Sequence, residues 1–404
     1  MLFRIALRNL LRHRRRSLFA LLAIAFGTVA MLLATGFIEW NLRYGRESTI
    51  RSQLGHIQVT RPGYRERGGA DPYRYLLPGG DALAAQVRRL PHVVAVGERL
   101  AFSGLASHGD ATISFLGTGI DATAERGLGD ALLFSAGSNL AAGDADAAVL
   151  GQGLADNLGV HVGDRVTLVA NTRGNTINAV EVTVKGTFGS IAKAYDDVAL
   201  RVPLATAQKL LRTDGAHVLV VLLDDTDATA ATAKQLRTQL PPGDYDVAGW
   251  QDLADFYNKT SALFARQIGF MRVVIGFIIV LAIVNTMTMA VAERTSEIGT
   301  AMALGARRRL VLEQFVAEGV LLGVLGGLAG LLACLVLAPV ISAIGIPMPR
   351  APGMAHGHVA GILVTPRMGV DAMLLALATA FVASVYPAAK ASRMAIVDAL
   401  RHSH

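Results

Sequence analysis

Four uncharged apolar runs divide this chain. They cover residues 17–38, 273–292, 319–346 and 372–389, and are 22, 20, 28 and 18 residues long. A helix needs about 20 apolar residues to cross a hydrocarbon layer about 30 Å thick. Residues 40–265, between the first two runs, are of another kind, with frequent Gly, Asp, Pro and Thr. Strand-like runs recur there at 56–60, 93–100, 111–120, 165–170, 179–188 and 217–223. Helix-like runs at 81–90, 204–211 and 227–240 alternate with them. The pattern predicts an α-helical membrane protein with four transmembrane helices. A large α+β domain, big enough for two lobes, is inserted between helices 1 and 2. Residues 41–53 and 252–266 are expected to prolong those two helices as a stalk.

Charge orients this arrangement. The chain has 404 residues, of which 52% are hydrophobic and 17% charged, with net charge +7. Mean hydropathy is +0.43. Soluble domains carry roughly 25% charged residues. Residues 40–266 hold 22 of the 38 basic and 24 of the 31 acidic residues, so the remainder carries +9. The basic excess flanks the apolar runs, a positive-inside pattern and not a nucleic-acid footprint. Residues 1–16 contain six Arg and no acid. Leu2, Ile5, Ala6, Asn9, Leu10 and His13 share one face, which predicts an amphipathic helix on the inner leaflet. A cleaved leader is the rival, but the following run is too long for one.

The resulting plan is a cytoplasmic helix 1–16, a first span 17–39 and an external domain 40–265. A second span 266–292, a cytoplasmic segment 293–312 and a third span 313–346 follow. An external loop 347–371, a fourth span 372–389 and a cytoplasmic tail 390–404 complete it. The third span is expected to tilt or kink at Pro339. Gly323, Gly326, Gly327 and Gly330 form two overlapping G-x-x-x-G pairs on it. Small residues there predict a packing face, within the subunit or between subunits. Cys334, the one cysteine, lies in the same run and reads as packing.

Residues 285–319 are longer than a simple return loop needs to be. Ile298, Ala301, Met302 and Leu304 give an apolar side, and Gly305 is a plausible helix stop. The words ER-x-x-EIG-x-x-x-ALGA-x-R, then Glu-Gly before a Gly-rich apolar helix, resemble the signature of the FtsX/MacB/LolC family of ABC-transporter permeases. The stretches 146–168 and 196–211 resemble that family's external domain, and the Pro-Ala tail resembles its ending. Because no fused ATPase region is present, the LolC/LolE lipoprotein-releasing branch is the nearest resemblance.

The resemblance implies that 293–312 is a coupling segment seated on a cytoplasmic ATPase dimer. Ile298, Met302 and Leu304 would anchor it. Glu293, Arg294 and Glu297 would pair at the rim, and Gly299 and Gly305 would allow close approach. No G-x-x-x-x-G-K-[ST] loop occurs, so ATP and Mg would be bound by the partner and no cofactor by this chain. A second permease subunit, identical or different, and membrane lipids are further expected partners. The cargo would be a lipoprotein or another lipid, passed to a periplasmic carrier by mechanotransmission. Asn171, Arg173 and Asn175 sit where related chains carry a carrier-binding hairpin, though a polar turn is the simpler reading.

Met31, Leu32, Phe37, Phe264, Phe270 and Phe277 are candidates to line a lateral cargo opening. Efflux of a drug, peptide or small amphiphile is an alternative. A non-transporting regulator of cell-wall hydrolases is another. Ser190 and Lys193 match S-x-x-K without its companion motifs, which reads as chance. His356 and His358 are too few for a metal site. His402 and His404 are terminal.

Overall fold

In a computed structural model, residues 2–12, 14–77, 80–125, 132–190, 193–349 and 357–394 are described. The tail beyond 394, and with it His402 and His404, lies outside them, as does His356. Two units divide the chain. One comprises 1–42, 260–346 and 359–404, and the other 43–259 and 347–358.

The first unit is helical. Long helices run over Arg14–Thr49, Asp255–Glu293, Arg308–Ile344 and Pro366–Ser392. All four are long and apolar enough to cross a membrane. The first is 36 residues, about 54 Å at 1.5 Å per residue, well beyond a bilayer core. The third passes through Pro339 without a break and starts at Arg308, inside the segment expected to be non-spanning. The fourth starts at Pro366, which the sequence reading left in the loop. Proline suits the first turn of a helix, and the Thr365 hydroxyl accepts from Met368 N at 3.4 Å. One apolar cluster gathers Ile24, Ile283, Met287, Phe315, Leu322, Ala380 and Ala388 from all four long helices. A smaller one joins Leu32, Cys334, Ala338 and Ala372.

Glycine sets the spacing inside this bundle. A Cβ on Gly326 would stand 2.7 Å from Ile24 Cβ, and one on Gly330 2.6 Å from the Ala25 carbonyl. A Cβ on Gly323 would meet Ala380 Cβ at 2.5 Å, and one on Gly327 would meet Met373 Sδ at 3.0 Å. The third helix therefore uses its small face on the first and fourth helices of the same chain.

The second unit is built on a mixed sheet of ten strands: β1 (57–60), β2 (93–108), β3 (111–120), β4 (133–137), β5 (147–151), β6 (165–171), β7 (177–189), β8 (199–203), β9 (218–223) and β10 (246–249). The order is β10-β1-β9-β2-β3-β8-β5-β7-β4, with β6 bridging β2 and β7. β2 pairs β9 along 93–99, β3 along 99–108 and β6 along 105–107. It thus crosses two cores. Helices 80–87 and 229–239 cover Ile57, Val59, Val96, Leu219 and Val221. Helices 152–158 and 204–211 cover Leu100, Phe115, Leu150, Val166 and Leu200. The expected two lobes share this one sheet. Strands β4, β5, β8 and β10 are additions to the sequence reading.

Candidate functional site

The stretch after the second long helix forms a short helix, Thr295–Ala303, held on both sides by ionic contacts. Glu297 lies in its first turn, where a carboxylate suits the helix dipole. It stops at Leu304 and Gly305. Gly305 takes φ +95, a conformation that costs a side-chain-bearing residue energy, and its N–H donates to Met302 O at 3.1 Å.

One face of this helix turns inward. Ile298 and Met302, four apart, are 6% and 8% exposed and pack in the main bundle cluster, and Gly299 is buried between them. The expectation that Ile298 and Met302 anchor a partner is therefore corrected. Their apolar surface is already taken by Val291, Val311 and Phe315 of the bundle core. Leu304 is different, at 85% exposed. Thr300, Ala301, Ala303, Arg307, Arg308 and Arg309 are exposed around it.

The rim assignment also changes. Arg294 donates to both oxygens of Glu318, at 3.0 and 3.3 Å, and to Glu297 at 3.3 Å. Its guanidinium stands over the Phe315 ring, 5.4 Å from the centroid. Its side chain is 13% exposed and that of Glu318 4%, so Arg294 is an internal tie. Glu293 and Glu297 remain on the surface, Glu297 also bonded to Arg12 at 3.3 Å. Sequence reasoning quoted Glu318 only as the Glu of the Glu-Gly pair before the third apolar run and gave it no role. Its neighbour Gly319 was the available signal, since a Cβ there would meet Ser384 Cβ at 2.4 Å and marks a tightly packed position.

Helix 2–12 joins the same network. Asn9 Nδ2 donates to Glu318 at 2.6 Å, Ala6 is buried, and Leu10 packs on the main cluster. Ala6, Asn9 and Leu10 of the face expected on lipid are against protein. The helical period of that face was right, but an apolar stripe does not state what covers it.

The lateral-opening candidates divide. Met31 and Leu32 are buried, Leu32 among Cys334, Ala338 and Ala372, so both are bundle packing and are withdrawn from that role. Phe37 and Phe264 are half-buried. Phe270 and Phe277 are exposed, with Val273, Ile278 and Leu281 on the same long helix.

In the second unit the hairpin between β6 and β7 is fastened down. Tyr73 Oη donates to Asn171 O at 2.7 Å, and Arg173 N donates to Leu211 O at 3.1 Å. Asn178 Nδ2 reaches Leu210 O at 2.9 Å. Asn175 takes φ +55 within the turn. The residues Asn171, Arg173 and Asn175 thus lie in a surface turn whose arms are hydrogen-bonded to the rest of the domain. Lys193 pairs with Asp197 at 2.6 Å, and His358 stacks on Tyr44 at 4.6 Å. Among the described residues no group of three or more His, Cys, Asp or Glu is placed to hold a metal.

Residues 17–239, more than half the chain, match the family described as MacB-like periplasmic core domain. Residues 269–396 match the FtsX-like permease C-terminal family. The chain belongs to the FtsX/MacB family of ABC-transporter permeases. It is similar to the macrolide export ATP-binding/permease protein MacB of Hyphomonas neptunium, 26% identical, covering 98% of this chain and 60% of that protein. It is 33% identical to the ABC transporter permease YvrN of Bacillus subtilis over 41% of this chain and 37% of YvrN. It is 28% identical to the pyoverdine export ATP-binding/permease protein PvdT of Pseudomonas fluorescens over 50% of this chain and 30% of PvdT. The chain thus spans under two thirds of the length of each.

Proposed function

We propose that this chain is the inner-membrane permease subunit of an ABC exporter. ATP is bound and hydrolysed by a separate cytoplasmic ATPase dimer. The observation that carries the reading is the short helix 295–303, braced from inside and exposed at its tip. Ile298 and Met302 fix it to the bundle, and Arg294 ties it to Glu318. Leu304, Arg307 and Arg308 are then exposed to be read by a partner groove with an apolar pocket and an acidic rim, while Arg309 is paired with Glu313 at 2.7 Å. A push on that tip moves the long helices as bodies, because the helix is packed and not hinged. Two such permease subunits, each holding an external domain, would complete the transporter.

The cargo is an amphiphile taken from the outer leaflet. Exposed Phe270 and Phe277 suit apolar tails at the second long helix. A lipoprotein passed to a soluble carrier and a small amphiphile both fit that surface. The hairpin at 171–178 is hydrogen-bonded back onto its own domain, and MacB and PvdT are named for export of macrolides and pyoverdine. Both observations support the small amphiphile.

The test is reconstitution with the co-expressed ATPase in proteoliposomes. ATP-dependent movement of a fluorescent amphiphile, lost in Leu304→Asp, is expected. Lipoprotein release without amphiphile export would reverse the cargo assignment. Neither activity with a hydrolysing ATPase bound would sink the transport reading.

A further inference from the structure

Where the first long helix ends, two buried arginines seize its last carbonyls. Beyond Thr49 the helix widens into one π-type turn, Ile50–Leu54, closed by Gly55 N donating to Ile50 O at 2.8 Å. The carbonyls of a helix C-terminus have no partner within the helix. Here the Arg99 guanidinium donates to Gln53 O and the Arg201 guanidinium to Ser52 O. Both arginines are almost fully buried. Arg99 is itself gripped by Glu125, at 2.5 and 3.0 Å, and Arg201 lies over the Phe188 ring at 5.5 Å. Arg99 stands on β2 and Arg201 on β8. The helix end is therefore held at two separate strands of the sheet.

The other side of the joint is held by a directional chain. Leu223 N donates to His56 Nδ1 at 3.1 Å, which leaves the ring proton on Nε2. Nε2 donates to Thr226 Oγ1 at 3.0 Å, and that hydroxyl donates to Glu47 Oε1 at 2.9 Å. Burial holds the His56 pKa down at about 4, so the ring stays neutral and the chain keeps its direction. Trp250 N bonds His56 O at 2.9 Å, and Ile50 packs on Trp250 and Tyr257.

A buried guanidinium is costly unless it is fully bonded. Two of them at one turn of backbone do nothing for a core that apolar residues would not do with less desolvation. We infer that Arg99 and Arg201 are a mechanical clamp, which welds residues 47–57 to the sheet so that displacement of the helix reaches the external domain undiminished. This use rests on the exporter reading; the clamp itself does not.

The test is made in the full chain, with spin labels at Gly45, where nothing stands within 4 Å of an added Cβ, and at exposed His161. The unaltered chain is expected to give a narrow distance distribution. Arg201→Met, and the paired change Arg99→Met with Glu125→Leu, are expected to broaden it, and Arg201→Lys to keep it nearly as narrow as in the parent. A distribution as narrow in both variants as in the parent overturns the clamp, whatever the transport result. With the ATPase present, the cargo moved per ATP hydrolysed is expected to fall by about tenfold, which corresponds to about 1.4 kcal/mol of lost coupling. Hydrolysis itself should continue. Broadening with unchanged cargo per ATP would also overturn the clamp's role in coupling. Folding of each variant is checked by its thermal midpoint, and Arg201→Lys serves where Arg201→Met does not fold.

Discussion

Arg294 and Glu318, 24 residues apart, meet at 3.0 Å with almost no solvent between them. The pair joins the short helix to the third long helix, and Asn9 adds the N-terminal helix to the same carboxylate. Three elements are thereby fixed at one point.

Removing one member of this pair leaves the other buried and unpaired. Arg294→Met is expected to lower stability by about 3 kcal/mol. The double change Arg294→Met with Glu318→Met should recover most of that loss, since apolar residues of similar length need no desolvation. Unfolding midpoints of the detergent-solubilised protein measure both. A single change as mild as the double one would mean that the pair is solvated.

Met302→Asp and Leu304→Asp, two residues apart, should behave differently. Met302 is in the core, so a carboxylate there costs several kcal/mol, about what an unpaired buried charge costs, and the protein should fail to accumulate. Leu304 is exposed, so its change should stay within about 0.5 kcal/mol of the parent. Leu304→Asp should still abolish ATPase co-purification. Equal accumulation of the two variants would contradict the inward face.

Gly330→Leu drives a side chain into the Ala25 carbonyl of the first helix. Overpacking of this kind costs about 1–3 kcal/mol. Gly269→Ala meets nothing within 4 Å on the second long helix, and should be neutral or stabilise by about 0.4–1 kcal/mol. Thermal midpoints that fall in both would show that helix spacing is not what glycine provides.

His56 titrates in the folded chain at about 4, and its ordinary value is 6.5. Between those values the unfolded chain binds the extra proton, so stability rises with pH across that window and is lost as pH falls through it. At about 1.4 kcal/mol per unit the loss from His56 is about 3 kcal/mol. His217, buried and also held at about 4, adds a loss of the same sign. His56→Asn should flatten the stability curve of the chain between pH 6.5 and 4. An unchanged slope would mean that His56 is not buried in its neutral form.

The four long helices were legible because nothing interrupts an uncharged apolar run, and because lipid leaves a backbone few other choices. β3 and β7 were legible because their residues alternate. β5 and β8 were not. AAVLG and ALRVP are buried on both faces, so neither shows a period of two. The stripe of Ile298 and Met302 predicted a helix with one apolar side. It could not say whether that side met a partner or the chain's own core, since both demand the same residues. Nothing in the local pattern singles out Arg99 or Arg201. Their burial is decided by carbonyls 46 and 149 residues away, and by Glu125. Sequence determined the four long helices, six of the ten strands and the family, because each of these leaves a local pattern. Tertiary structure alone decided which faces and charges are spent inside, because desolvation depends on what folds over a residue, and no local pattern records that.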